Sequence, residues 1–173
     1  SKARQEVIEA KIEQRKIERK KREIEIEKAK AAQRAEQERL VKEKQEAERR
    51  ALVQALIDRY NTECSKIDSE ATARRKELES RAQNEITQAQ KQIGEFLKQK
   101  EGFTLFRKKR DAELDAKIAV LDRHIEQVKR NLADELAKCE QDAEEKKNSL
   151  CERILDEAEQ SHVKDEVVQE ISK

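Results

Sequence analysis

The chain contains no proline, and its two glycines, Gly94 and Gly102, lie close together. Tight turns draw on these residue types, glycine for positive φ and proline for a preset φ. Almost the whole of the 173-residue chain therefore lacks the means to reverse direction sharply. Ala, Glu, Lys, Arg and Gln dominate it, and all are strong helix formers. Charged residues make up 46% and apolar ones 35%, with three Phe, one Tyr and no Trp. A globule of this length needs nearly half its residues apolar, so the composition points to long helices or a coiled coil.

The apolar pattern agrees. Val53, Ile57, Tyr60, Cys64, Ile67 and Ala71 alternate steps of four and three. After a gap filled by Arg74 and Arg75, the line resumes at Leu78, Ala82, Ile86, Ala89, Ile93 and Phe96. A second line runs Leu114, Ile118, Leu121, Ile125, Val128, Leu132, Leu136, Cys139, Ala143, and continues at Leu150 and Ile154. Steps of this kind put one apolar seam on each helix. Residues 1–50 carry only half a seam, Ala3, Ala10, Ile17, Ile24 and Ala31, because Gln14, Lys21 and Lys28 hold the companion line. Oppositely charged residues one turn apart, such as Glu18–Arg22, Glu38–Lys42 and Glu46–Arg50, support that helix locally.

Between the seams, Gly102 suits a helix C-cap and Thr104 an N-cap. Matched arms around a glycine-containing break predict an all-α fold, a long antiparallel coiled-coil hairpin of two long helices, dimeric. The boundaries are a charged, weakly amphipathic extension at 1–50, a first arm at 51–101, a turn at 102–106 and a second arm with an acidic end at 107–173. The alternative is a single continuous parallel coiled coil, since one glycine costs only about 1 kcal/mol inside a helix. The expected core comprises Val53, Ile57, Tyr60, Ile67, Leu78, Ile86 and Ile93 on the first arm. On the second it comprises Leu114, Ile118, Leu121, Ile125, Val128, Leu132, Leu136, Leu150 and Ile154. Folding about residue 102 sets Cys64 opposite Cys139. Ala51, Leu52, Leu56, Ala119, Val120 and Ala133 flank the seams as candidates for contact with a second copy.

Net charge is +1, which gives no global field favouring nucleic acid or membrane. The charge is nonetheless uneven. Residues 1–50 hold 17 basic and 12 acidic groups, whereas residues 139–173 hold 5 and 11. Arg-Lys-Lys-Arg occurs twice, at residues 19–22 and 107–110. Glutamates surround the first block, so it reads as a solvated helix face. The second follows Phe103, Leu105 and Phe106. Together Phe103, Leu105, Phe106, Arg107, Lys108, Lys109 and Arg110 form a candidate contact tip, where aromatics beside positive charge suit an anionic surface. The plainer reading is a structural turn.

Little in the sequence points to chemistry. His124 and His162 are the only histidines, and neither lies near a Cys or Ser at a spacing that suggests a base and nucleophile. Cys64, Cys139 and Cys151 form no C-x-x-C pair, so neither catalysis nor a metal or other cofactor is expected. The cysteines read as small core residues in a reducing compartment. No apolar run reaches the roughly 20 residues of a membrane span. A start at Ser1 reads as a segment of a longer protein.

The expected function is structural: a cytoplasmic coiled-coil scaffold, not an enzyme, that associates with itself as a homodimer and binds other proteins. The alternative is an electrostatic adapter, docking its tip or basic arm on an anionic membrane or acidic cytoskeletal surface. Specific nucleic acid and small-molecule substrates are not expected partners.

Overall fold

The structure, a computed structural model, describes residues 1–101 and 107–173. The expected turn at 102–106, its caps at Gly102 and Thr104, and Phe103, Leu105 and Phe106 lie outside the described residues. The described chain is helical, with α1 over Lys2–Lys100, α2 over Arg107–Gln160 and α3 over Lys164–Ile171. No strand occurs among the described residues.

Helix α1 holds 99 residues because nothing in its sequence interrupts it. Gly94 sits inside it without positive φ, and a Cβ there meets nothing within 4 Å. Lys98 and Lys100 lie in the last turn, where positive charge complements the exposed carbonyls. Helix α2 starts less favourably, with Arg107, Lys108, Lys109 and Arg110 where the dipole prefers acids. Asp111 offsets part of this charge through an ion pair with Arg107 at 3.7 Å.

The chain divides into two compact units, Ser1–Gln54 and Ala55–Lys173. In the first, every residue from 1 to 52 is exposed, the isoleucines included. The second unit carries a core. Leu56, Ile57, Leu78, Ala82, Ile86 and Ala89 of α1 are buried, as are Leu114, Ile125, Val128, Leu150, Ile154 and Ala158 of α2. Ala82, Ile86 and Ala89 cluster with Ile125 and Val128, and Ile93, Leu121 and Leu132 pack against them.

The contacts between α1 and α2 run in opposite order along the two helices. Arg59 pairs with Glu157, Asp68 with Lys147 at 2.5 Å, and Lys100 with Asp115 at 2.6 Å. Near the start of α2, Arg110 donates to the Gln99 carbonyl and Lys117 lies over the Phe96 ring. Exposed pairs of this kind add little stability. Their value is as markers of register.

That register corrects one expectation. Cys139 lies with its Sγ 3.7 Å from the Ala71 carbonyl, two turns along α1 from Cys64. Folding about Gly102 assumes a reversal centred there. The pairing of Lys100 with Asp115 is centred further along the chain, and this moves every partner of α1 toward the C-terminus of α2.

Nor does the second arm continue as one helix to residue 173. Helix α2 ends at Gln160, and His162 adopts φ 58°. The Val163 N–H donates to the Ala158 carbonyl at 2.8 Å, and the His162 N–H to Glu159 at 3.1 Å. These are the two bonds of a Schellman cap, closed here by a histidine instead of glycine. Ala158 and Val163 bracket the cap and are 0% and 2% exposed, which supplies its usual apolar contact. Helix α3 then packs on α2, with Val167 fully buried.

Candidate interaction site

The expected core residues fall into two groups. Ile57, Leu78, Ile86, Leu114, Ile125, Val128, Leu150 and Ile154 are buried. Val53, Tyr60, Ile67, Ile93, Ile118, Leu121, Leu132 and Leu136 are half-buried, as befits a seam only two helices wide. Of the expected flanking residues, Ala51, Leu52, Ala119, Val120 and Ala133 are exposed, but Leu56 is 6% exposed and belongs to the core. Neighbouring residues on a helix point about 100° apart. Burying Leu56 together with Ile57 therefore needs a wider covered face than one seam provides. Val163 and Val167 are further core residues that stepping along the seam does not find. Their signal was the four-residue spacing between them.

The first unit presents a different surface. Ile17 and Ile24 of the seven-step line are 48% and 55% exposed. A shallow groove runs beside Ile24 and Ala31, edged by Lys20, Glu23, Glu27 and Lys28. A second is edged by Arg34, Glu38, Val41 and Lys42. Arg39 bridges Glu36 and Glu43 on the same helix, and this partner holds the Glu36 carboxyl below its usual range. The Arg19–Arg22 block is exposed throughout.

In the second unit, Arg107, Lys108 and Lys109 are exposed and Arg110 is half-buried. They sit together at the start of α2; whether the aromatic half of the expected tip joins them falls outside the described residues. Further along, a cleft opens between α1 and α2 beside Ile67, Ala71, Leu78, Cys139 and Ala143. It lies where Arg74 and Arg75 interrupt the α1 seam opposite the small Cys139 and Ala143. Its rim carries charges of both signs.

All three cysteines are free and half-buried. Tyr60 is half-buried near Cys64 and Cys151. Burial, then a hydrogen bond with Cys64, and then the nearness of Cys64, Cys151 and Glu144 push its phenol pKa up. Lys147 is raised by its hydrogen bond with Asp68. No group of three or more potential metal ligands occurs among the described residues. No described helix is long and apolar enough to cross a membrane.

No family model matches the chain, and no curated protein or solved structure is similar to it.

Proposed function

We propose that the chain is a structural coiled-coil segment, in which residues 55–173 form an antiparallel coiled-coil hairpin and residues 1–54 join two copies into a homodimer. The observation that carries this reading is the contrast in apolar burial. The seam of the second unit is covered from within the chain. The line Ala3, Ala10, Ile17, Ile24 and Ala31 is exposed along its whole length. Apolar residues repeated at heptad spacing gain most by meeting another helix. A scaffold needs both properties: a self-sufficient stiff element and a face that links it to another.

The test is sedimentation of the full chain beside an Ile17→Glu, Ile24→Glu double variant, at low and raised salt. The expected result is a dimer that persists at raised salt and a monomeric variant with an unaltered second unit. A monomeric parent chain would overturn the homodimer reading. The excess of basic groups in residues 1–50 supports a second reading, an adapter for acidic surfaces. Binding of the monomer to anionic vesicles or acidic filaments, lost as salt screens the charges, would favour it.

A further inference from the structure

We propose that the two copies joined through residues 1–54 lie antiparallel, with the midpoint between Arg22 and Glu23 on their twofold axis. This deepens the homodimer reading above and rests on it. The geometry comes from the two grooves on α1. One is lined by Lys20, Glu23, Ile24, Glu27, Lys28 and Ala31. The other is lined by Arg34, Gln37, Glu38, Val41, Lys42 and Gln45, and repeats the first, position for position, two heptads further on. Each contains a residue and those three, four and seven places after it, as in Ile24, Glu27, Lys28 and Ala31. Four residues so spaced form the hole that receives one knob from a facing helix. Ile24 and Ala31 are exposed, so the first hole stands open.

Which residue fills that hole depends on the direction of the partner. Closed twofold symmetry leaves two choices for a pair of identical helices. In a parallel pair every residue lies level with its own copy. Lys28 then enters the hole around the partner's Lys28, and Gln14 and Lys21 meet themselves in the layers before it. The basic block Arg19–Arg22 also lies beside its own copy, and like charges so placed repel. In an antiparallel pair the lines cross over. The line Ala3, Ala10, Ile17, Ile24, Ala31 faces the companion line Val7, Gln14, Lys21, Lys28, Ala35 of the other copy. With the axis between Arg22 and Glu23, Ile17 enters the partner's hole at Ile24, Glu27, Lys28 and Ala31. Lys21 faces the partner's Ile24, and Ala10 faces the partner's Ala35. Lysine stems lie along isoleucine while their ammonium groups reach water.

Charge selects this centre. It sets Arg19–Arg22 level with the partner's Glu23 and Glu25, whereas the neighbouring centres set the block beside Lys16 and Arg19, or beside Lys30 and no acid. Along one edge Lys20 meets the partner's Glu27, and Glu13 meets the partner's Arg34. Along the other, Glu18 meets the partner's Glu25, but Lys21 lies one turn from both glutamates on its own helix and offsets them. Arg4 meets the partner's Arg39, whose charge Glu36 and Glu43 already balance.

The test uses the full chain with Cys64→Ser, Cys139→Ser and Cys151→Ser, so that a new cysteine reports alone. One batch adds Ala10→Cys and another Ala35→Cys, both at exposed sites. The batches are mixed in urea, refolded together and equilibrated in reduced and oxidised glutathione. Peptide mapping measures each linked pair, and sedimentation measures the dimer. A disulfide needs Cα atoms within roughly 7 Å, so linkage of position 10 to position 35 should exceed like-with-like linkage at least about tenfold. In the proposed pair, like positions lie about 37 Å apart along the axis, at about 1.5 Å per residue. Like-with-like linkage in a dimeric mixture, or an even spread of products, overturns the antiparallel arrangement and leaves the homodimer standing. A monomeric full chain overturns both. A second pair of variants reads one edge in the chain with its own cysteines. Lys20→Glu, set against the partner's Glu27, should raise the dimer Kd about threefold or more at low salt, and adding Glu27→Lys should bring it back. A parallel pair sets residue 20 beside the partner's Glu25 instead, so a Kd that stays raised in the double variant overturns the proposal.

Discussion

Truncating Ile86 tests whether the second unit is held by its α1–α2 seam. Ile86 is 9% exposed and sits among Ala82, Ala89, Ile125 and Val128. Ile86→Ala removes three buried carbons. At about 0.8 kcal/mol each, the transfer loss is about 2.4 kcal/mol, or a little less for the exposed fraction. A cavity adds to this where neighbours cannot close in. Ala82 and Ala89 carry only a methyl each and cannot extend into the gap, but the edge of a two-helix seam is open to water, so the cavity contribution is small. Alanine's better helix propensity returns a few tenths. The net loss is about 2–3 kcal/mol, in the lower half of the range of about 2–5 for such changes. Tyr60 is the chain's one tyrosine and there is no tryptophan, so its emission follows the second unit alone during urea unfolding. With a slope of about 1–3 kcal/mol per molar urea, the midpoint should fall by about 0.7–3 M. Ile24→Ala, at a site 55% exposed, should leave that midpoint unmoved. Equal midpoints for Ile86→Ala and the parent chain would show that this seam does not carry the unit's stability.

Leu121→Asp places a charge against the same cluster and should cost about 2–4 kcal/mol, whereas exposed Glu113→Ala should stay within about 0.5, both read on Tyr60 in urea. Gly94→Ala should raise stability by about 0.5–1 kcal/mol, since a Cβ meets nothing there and alanine favours the helix; a lower urea midpoint would contradict this. His162→Val should cost about 1–2 kcal/mol relative to His162→Gly, because φ 58° burdens a β-branched side chain and suits glycine; equal melts would contradict the cap assignment. Tyr60 should ionise above the usual value of about 10 in the folded chain, and at that value in urea. The unfolded chain then loses this proton first, so the contribution is fully present below about pH 10 and is lost as pH rises through the folded value. Ultraviolet absorbance of tyrosinate checks it, and matching titrations with and without urea would refute it.

What the sequence disclosed and what it hid follow from the range of the interactions involved. Helix content and the seam are local properties. A 99-residue helix follows from a run without proline and with glycine only near its end. The stepping from Ile57 to Ile93 and from Leu114 to Ile154 follows from the 3.6-residue turn, so each seam could be read on its own helix. Register is not local. It depends on how many residues the connection consumes, which no periodicity encodes. A shift of two turns leaves apolar residues facing apolar residues, as Cys139 against Ala71 shows. Charge could have discriminated between registers, since Asp68 with Lys147 and Lys100 with Asp115 form only in the observed one. Those pairs are exposed and individually weak, so they become legible only after the register is known.

The end of α2 was hidden for a different reason. A glycine there would have announced the cap, but His162 takes its place. What remained visible was Ala158 and Val163 at the spacing a Schellman cap brings together, followed by Val167 one turn later. A seam search reads these as a thinning line, because it assumes one continuous helix. Once the chain breaks at His162, the same three residues join Leu150 and Ile154 as the most completely buried of the described residues, at 0%, 2% and 0% exposure. The acidic end of the chain is therefore partly a packed element and not only a solvated tail. The basic residues 1–50 of α1 have no such burial, and every one of them is exposed.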